Sequence, residues 1–366
     1  MPKLGRVTRR RVLALAGTAA AATALGVPQL VYAQNVKPIN FTLPWVADGS
    51  NLYVYVAKEM GLWQKHGLDV SVARGSGSIA AAEAIGAGRF DFGLSAPLAA
   101  VLQTVKGLPT MALAACAYDA AMGIGVPADG PIKTPKDLEG HKMACTVTSG
   151  EYPFLPAFAD HAGFDLSKVS IVQVDNKVRD SMLPQGNVDA LSGFATTFMA
   201  SYIANNFKAR AMLYSRFGIP NYGNALMTQP KRLEEAPELC GAMVDGLLQG
   251  LKATLLDPDG ALKILLKSAP ELALSNTARE QVKAGTGLMV FVSGSDIVKA
   301  HGMGYFDPGD IDKQIDLVMK FLAKPEEKRP SGDSVTTNRF AGQIKFSDDE
   351  WKTVQKGAAA YSSLLT

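Results

Sequence analysis

Apolar positions change their period repeatedly between Phe41 and Leu102. FTLPW (Phe41 to Trp45) reads as a strand, and Tyr53, Val56, Ala57 and Met60 then recur at helical spacing. Asp48, Ser50 and Asn51 stand between them, where a helix N-cap belongs, and Gly61 where the helix should stop. LDVSVARG predicts a second strand, followed by GSGS and an alanine-rich helix from Ile79 to Gly88. RFDFGLS alternates as a third strand should, and Ser95 is placed to cap a helix with Leu98, Val101, Leu102 and Val105 on one face.

The same alternation continues. TMALAACAY and MGIGVPAD read as strands on either side of Tyr118 and Asp119. Ser149-Gly150 should open a helix with Pro153 in its first turn. Ser192-Gly193-Phe194 ends a further strand, with Thr196 or Thr197 as the next cap, and IPNYGNALMTQP reads as a strand returning to the first half. Helices are expected over 240–255, 258–267, 276–290, 310–322 and 348–361, and the polar KPEEKRPSGDSVTTNRF as a surface loop. A partial repeat links the halves. Asp69-Val70-Ser71-Val72 is echoed by Lys168-Val169-Ser170-Ile171, and Gly88-Arg89-Phe90-Asp91 by Gly186-Asn187-Val188-Asp189.

Strands followed by helices in this rhythm predict an open α/β sheet in each half. In such a sheet the helix starts lie together at the carboxyl ends of the strands, each carrying unpaired N–H groups and partial positive charge. Starts rich in Ser, Gly, Asn and Asp would therefore converge on one place able to hold a small ligand.

GLWQKHGLDVSV and GSGSIAAAEAIGAGRFDFGLSAP resemble the solute-binding proteins of the NMT1/THI5-like and aliphatic-sulfonate, taurine and nitrate group, over roughly residues 39–322. TLPWVADGSNLYVYVAKEMGLW is most similar to the thiamine-pyrimidine branch. The resemblance implies an α/β protein of the type II periplasmic-binding-protein fold, two doubly wound domains with a hinge and a ligand cleft between them. PIKTPKDLEGHKMACTVTSG and SMLPQGNVDAL resemble the passages that open and continue its second domain, with Pro184 expected to end a helix early. The expected division is 38–123 with 223–366 as one discontinuous domain and 124–222 as the other, hinged near 119–124 and 220–226.

Charge changes the picture only through the first 33 residues. Lys3, Arg6, Arg9, Arg10 and Arg11 precede an apolar run, and Val31-Tyr32-Ala33 fits a cleavage site. Thr8 to Leu13 resembles a twin-arginine export signal, so residues 1–33 are read as a leader cleaved after Ala33 and the mature protein as periplasmic. Without those five cations, 32 basic residues stand against 34 acidic ones. Nucleic acid is therefore not an expected partner. No later stretch is expected to span a membrane. Cys116, Cys145 and Cys240 have no metal-ligand spacing and are read as buried free thiols, with no metal, cofactor or catalytic residue expected.

The expected function is capture of a small organic solute by a monomer that delivers it to the membrane subunits of an ABC permease. The alternatives are a THI5-like pyrimidine-synthesis enzyme, whose cysteine-rich iron motif is missing here, and a sensor subunit. Candidate ligand-binding residues are Trp45, Asp48, Asn51, Arg74, Ser76, Ser78, Ser95, Tyr118, Ser149, Glu151, Tyr152, Phe194 and Tyr222. The pattern does not fix which way Arg74 and Arg179 point. Aromatic walls favour a flat ring, and Asp48 and Glu151 favour a ligand with N–H donors. The expected ligand is a neutral or weakly basic heteroaromatic such as a pyrimidine, with Trp45 stacked on it and Asp48 accepting its N–H.

Overall fold

In the computed structural model, which describes residues 36–219 and 221–365, the alternating segments build two five-stranded sheets. The readings made for residues 1–33 lie outside the described residues. The chain begins β1 (Lys37–Thr42), α1 (Tyr53–Glu59), β2 (Leu68–Ala73), α2 (Ser78–Gly86), β3 (Phe92–Ser95), α3 (Pro97–Val105) and β4 (Met111–Ala115). It then crosses into β5 (Met122–Pro127), β6 (Lys142–Cys145), α4 (Leu155–Ala162), β7 (Ser170–Gln173), α5 (Arg179–Met182), β8 (Ala190–Phe194), α6 (Ala195–Ala204) and β9 (Ala209–Leu213). β10 (Ala225–Thr228) returns to the first sheet.

Helices complete the chain: α7 (Pro230–Glu235), α8 (Pro237–Leu256), α9 (Pro258–Ser268), α10 (Asn276–Ser293), α11 (Asp296–His301), α12 (Pro308–Phe321), α13 (Gly332–Val335) and α14 (Asp348–Ala359).

The sheets share one topology. Their orders are β2-β1-β3-β10-β4 and β7-β6-β8-β5-β9, each with one strand antiparallel to its two neighbours. The repeat in the sequence has a structural job in both. Gly88 and Gly186 take left-handed turns at φ +72° and +71°. Asp91 then accepts the Asn40 N–H at 2.8 Å, and Asp189 accepts the Lys142 N–H at 2.9 Å. In each half an aspartate thus pins the entry of a parallel strand to its neighbour.

Apolar residues of β1, β4, α1 and α8 form a core on one face of the first sheet, with Phe41, Trp63, Leu113 and Leu247 buried. A second core runs from α3 and α12 into β5, β6 and α4. α10 packs along α6, so Leu288 and Val292 are buried with Phe198.

Several expectations change. The first strand ends at Thr42, and Trp45 lies in the loop beyond it, where its carbonyl still accepts the Gly75 N–H at 2.9 Å. One expectation holds: α5, a single turn, ends ahead of Pro184, a residue that cannot continue a helix. Tyr152 to Phe154 form a 3-10 turn, and α4 starts at Leu155. The polar segment after α12 is not a plain surface loop: Val335 is buried, and Thr336 forms a bridge to Ala112 on the outer edge of β4. By length and composition, α8 is apolar enough to cross a membrane, contrary to the expectation; here its apolar face packs on α1.

Two extended crossings join the halves and bond to each other. Asn224 accepts N–H groups from Cys116 and Ala117 at 2.8 and 3.2 Å, Gly223 donates to Ala117 at 3.0 Å, and Ala120 donates to Asn221 at 2.9 Å. Opposite them, the β2–α2 turn meets the loop after β6. Thr148 donates its hydroxyl to the Ser76 carbonyl at 2.6 Å and accepts the Ile79 N–H at 3.2 Å. Gly77 (φ +146°) sits in this contact, where a Cβ would overlap the Thr148 carbonyl.

Candidate functional site

Between the crossings and the Thr148 contact lies a cavity of about 600 Å³, counted with its open mouth. The first half supplies Pro44, Trp45, Ser50, Tyr53 and Ser78, and the second supplies Ser149, Arg179, Phe194, Thr196 and Thr197. Asp119 and Asn224 come from the crossings, and Met289, Val292 and Ser293 from the last turn of α10. A small flat molecule would therefore meet an apolar wall edged by hydroxyls.

Arg179 is the charged centre of this wall. Single-turn α5 carries it inward, and it is only 1% exposed. Asp180 accepts from its Nε at 2.8 Å and its Nη2 at 2.7 Å, and the guanidinium lies 4.8 Å from the centre of the Trp45 ring. Burial alone would lower the Arg179 pKa, but Asp180 and Glu151 outweigh it and hold the group above its ordinary value. Glu151, fully buried, takes hydrogen bonds from the Ser149 and Ser192 hydroxyls. Desolvation raises its pKa, with Arg179 pulling the other way. A buried cation with partners on this scale stays charged and fixed in place.

Of the residues predicted from sequence, Trp45, Ser78, Ser149 and Phe194 line the cavity. Glu151 stands behind Ser149. Asp48 stands behind Ser50: its Oδ1 accepts the Ser50 N–H at 2.8 Å and hydroxyl at 2.6 Å, while its Oδ2 is buried without a partner. Burial pushes the Asp48 carboxyl up to about 6, with the Ser50 bonds opposing. Asp48 therefore orients a wall hydroxyl and does not itself face the cavity.

The remaining predicted residues lie outside the cavity lining. Asn51 is fully buried and ties its loop by donating to the Val46 carbonyl at 2.9 Å. Arg74 is half exposed and paired with Glu271, away from the cavity. Ser76 presents its carbonyl to Thr148. Ser95 ends β3 and donates to the Ser78 carbonyl at 2.7 Å, so it does not cap α3, whose N-cap is Ala96. The hydroxyl of Tyr118 accepts the Gly304 N–H at 3.1 Å, that of Tyr222 accepts the Asp307 N–H at 2.7 Å, and the two rings pack edge to face. Tyr152 packs against the second core. Neither α1 nor α6 has a side-chain cap. The helix starts are also less open than expected, since Thr148 takes the Ile79 N–H of α2 and Ala121 takes the Ala195 N–H of α6 at 2.7 Å.

The sequence reading missed Tyr53, Asp119, Asn224, Met289, Val292 and Ser293 as wall residues. Tyr53 carried a signal of one kind, a hydroxyl on the buried face of an amphipathic helix. Met289 and Ser293 carried none, because only the tertiary fold brings the end of α10 to the cleft.

All three thiols are buried, and burial raises them, Cys116 and Cys145 to about 12 and Cys240 to about 11. A thiol held so high is a poor nucleophile. Among the described residues no group of three or more His, Cys, Asp or Glu side chains is placed to hold a metal.

Known proteins resemble this arrangement. The family model described as NMT1/THI5 like matches residues 50–261. A formylaminopyrimidine-binding protein of Halalkalibacterium halodurans is 23% identical over 240 residues, spanning 64% of this chain and 72% of that protein. The alkanesulfonate-binding protein SsuA of Xanthomonas axonopodis pv. citri, solved with MOPS bound, superposes with a TM-score of 0.60 at 15% identity, covering 82% of this chain and 98% of that one. The periplasmic nitrate-binding protein NrtA of Synechocystis PCC 6803 gives 0.62 at 13% identity, covering 90% and 91%. These two structures share the fold with this chain.

Proposed function

Because this chain belongs to the NMT1/THI5-like family, we propose that it is an extracytoplasmic solute-binding protein serving the membrane permease of an ABC importer. The observation that carries this reading is the cavity itself, walled by both halves, with the Thr148–Ser76 contact joining the halves beside it. A ligand there touches two bodies joined by two crossings, so its binding free energy favours the closed arrangement. The moving bodies are 38–123 with 223–366, and 124–222. Residues 1–33 act as the export leader.

The solute is a small heteroaromatic. Trp45 and Phe194 supply apolar ring faces, and Ser50, Ser78, Ser149, Thr196 and Thr197 supply hydroxyls around them. Arg179 is already neutralised by Asp180 and Glu151, and Asp119 adds a carboxylate to the wall, so a bare inorganic anion meets little net attraction. The formylaminopyrimidine named for one relative supports a pyrimidine-like ring.

Thermal melts of the unfolded, stripped and refolded protein against pyrimidines, aromatic acids and sulfonates test this reading. At ~100 times Kd a true ligand adds roughly 2.7 kcal/mol, a shift of a few degrees. Trp45→Ala is expected to weaken the ring ligand ~10-fold or more, through lost stacking. Stabilisation by sulfonates alone would discard the ring.

A further inference from the structure

The two sheets share one topology, but their last strands meet different surroundings. In the first sheet the outer edge of β4 is covered by chain from the C-terminal region. Gly304 accepts the Ala115 N–H at 3.1 Å, and Thr337 donates to the Ala112 carbonyl at 3.0 Å. β9 holds the same place in the second sheet and pairs only with β5. Among the described residues, no backbone group of Ala209–Leu213 bonds beyond that strand. A groove of about 910 Å³, counted with its open mouth, runs beside this edge and is lined by four consecutive β9 residues, 210–213. Side chains alternate across a strand, so consecutive lining residues mean that the groove follows the backbone edge. Met212 and Phe217 give it apolar surface, Lys133, Lys136, Arg210 and Arg216 give it positive charge, and no acidic residue lines it. Lys136 pairs with Glu139, whereas Lys133 and Arg210 donate only to the carbonyls of Ala128 and Ile132. Among the described residues, neither of those two cations nor Arg216 forms an ion pair.

We propose that the β9 edge is a docking site for an extended acidic segment of a partner protein, which joins the second sheet as a further strand. Added strands bind through main-chain hydrogen bonds along a free edge, while neighbouring side chains choose the sequence. The first sheet shows that this position accepts extended chain, because residues 304 and 336–337 already lie along β4. Charge selects the occupant. A second copy would set cations against cations, and like charges on an edge keep identical sheets from joining. A segment that alternates Glu or Asp with apolar residues would turn its carboxylates toward the Lys and Arg side chains and its other face to Met212 and Phe217. Every lining residue falls within 124–222, so the groove belongs to the second half alone. Docking there does not depend on closure around a solute, and it tethers the loaded and the empty protein alike.

Fluorescence anisotropy with a labelled peptide that alternates Glu with Val tests the docking. The comparisons are the same peptide with Lys for Glu, two forms N-methylated at odd or at even positions, and the double variant Lys133→Glu with Arg216→Glu. Both replaced side chains are exposed, so the double variant is expected to melt with wild type. Wild type is expected to bind the acidic peptide ~10-fold or more above the lysine peptide, and the double variant to lose a similar factor. Only one set of alternate amides on an added strand faces β9, so one methylated form is expected to weaken ~10-fold while keeping every charge. Hydrogen exchange at Ala209–Leu213 should slow when the acidic peptide is bound. Affinity should be the same in Gly77→Ala, where the added Cβ overlaps the Thr148 carbonyl of the other half. No binding by wild type, full binding by the double variant or by both methylated forms, or an affinity lost in Gly77→Ala overturns the proposal. Self-association in sedimentation that the double variant abolishes overturns it as well, since the edge would then belong to a second copy.

Discussion

Arg179 shows why single residues resisted sequence reading here. Its side chain is set by one helical turn cut short at Pro184, and its charge is answered by neighbours at positions 151 and 180. No spacing rule links those positions, so the inward direction became visible only in three dimensions. Trp45, Ser78, Ser149 and Phe194 were legible because they lie at or just beyond strand ends and helix starts, at the one sheet edge where ligands gather. Asp48 was read as a ligand acceptor on residue type alone, and burial gives it another consequence. Its carboxyl is raised from 3.8 to about 6, so the folded protein holds a proton there that the unfolded chain has released. The stabilising contribution is complete below the unfolded value and is lost as pH rises through about 6. Asp48→Asn keeps an acceptor for Ser50 and removes the buried charge. It is expected to gain about 1–3 kcal/mol over wild type at pH 8 and little at pH 4. Urea titrations at both pH values check the sign, and an equal effect at the two would show that Asp48 does not titrate in this range.

At the level of elements, the strands and helices were read more securely than the ends that join them. The end of RFDFGLS, Phe92–Ser95, is a strand buried on both faces, and the amphipathic run of α12 survives because burial of one face decides it. Caps failed more often, at Asp48, Ser95, Thr196 and Thr197, because a hydroxyl near a helix start can bond elsewhere as readily. The repeated Gly-x-x-Asp is the element-scale feature that sequence did expose. Asp91 and Asp189 make the same strand-entry bond in each sheet, and Asp91 also pairs with Arg232 at 2.8 Å. Asp189→Ala is expected to cost about 1–2 kcal/mol in denaturant unfolding, and Asp91→Ala more, since it also strands a half-buried guanidinium. Equal losses would mean the Arg232 pair contributes nothing.

At the level of the whole molecule, α10 and Gly77 hold the halves together from opposite sides of the cavity. α10 reaches across to α6, and Gly77 allows the backbone of one half to lie against Thr148 of the other. Gly77→Ala should keep the halves apart without disturbing either core. Small-angle scattering at saturating ligand is expected to show a larger radius of gyration than wild type, with affinity ~10-fold weaker. Unchanged scattering would show that the Thr148 contact does not control closure.

The bond from Ile79 to Thr148 has one more consequence. The first turn of α2 is completed by a carbonyl that belongs to the other half, and no ligand takes part in that bond. An empty receptor that shuts on its own backbone would present its transporter with the same outer face as a loaded one. Fidelity of delivery then depends on how rarely the unoccupied molecule shuts, and the Ile79 amide keeps the record: its hydrogen exchanges with solvent while the halves are apart and is shielded while they are together. Comparing its exchange with and without solute gives the share of unoccupied molecules that stand closed, the background against which every genuine delivery has to be told apart.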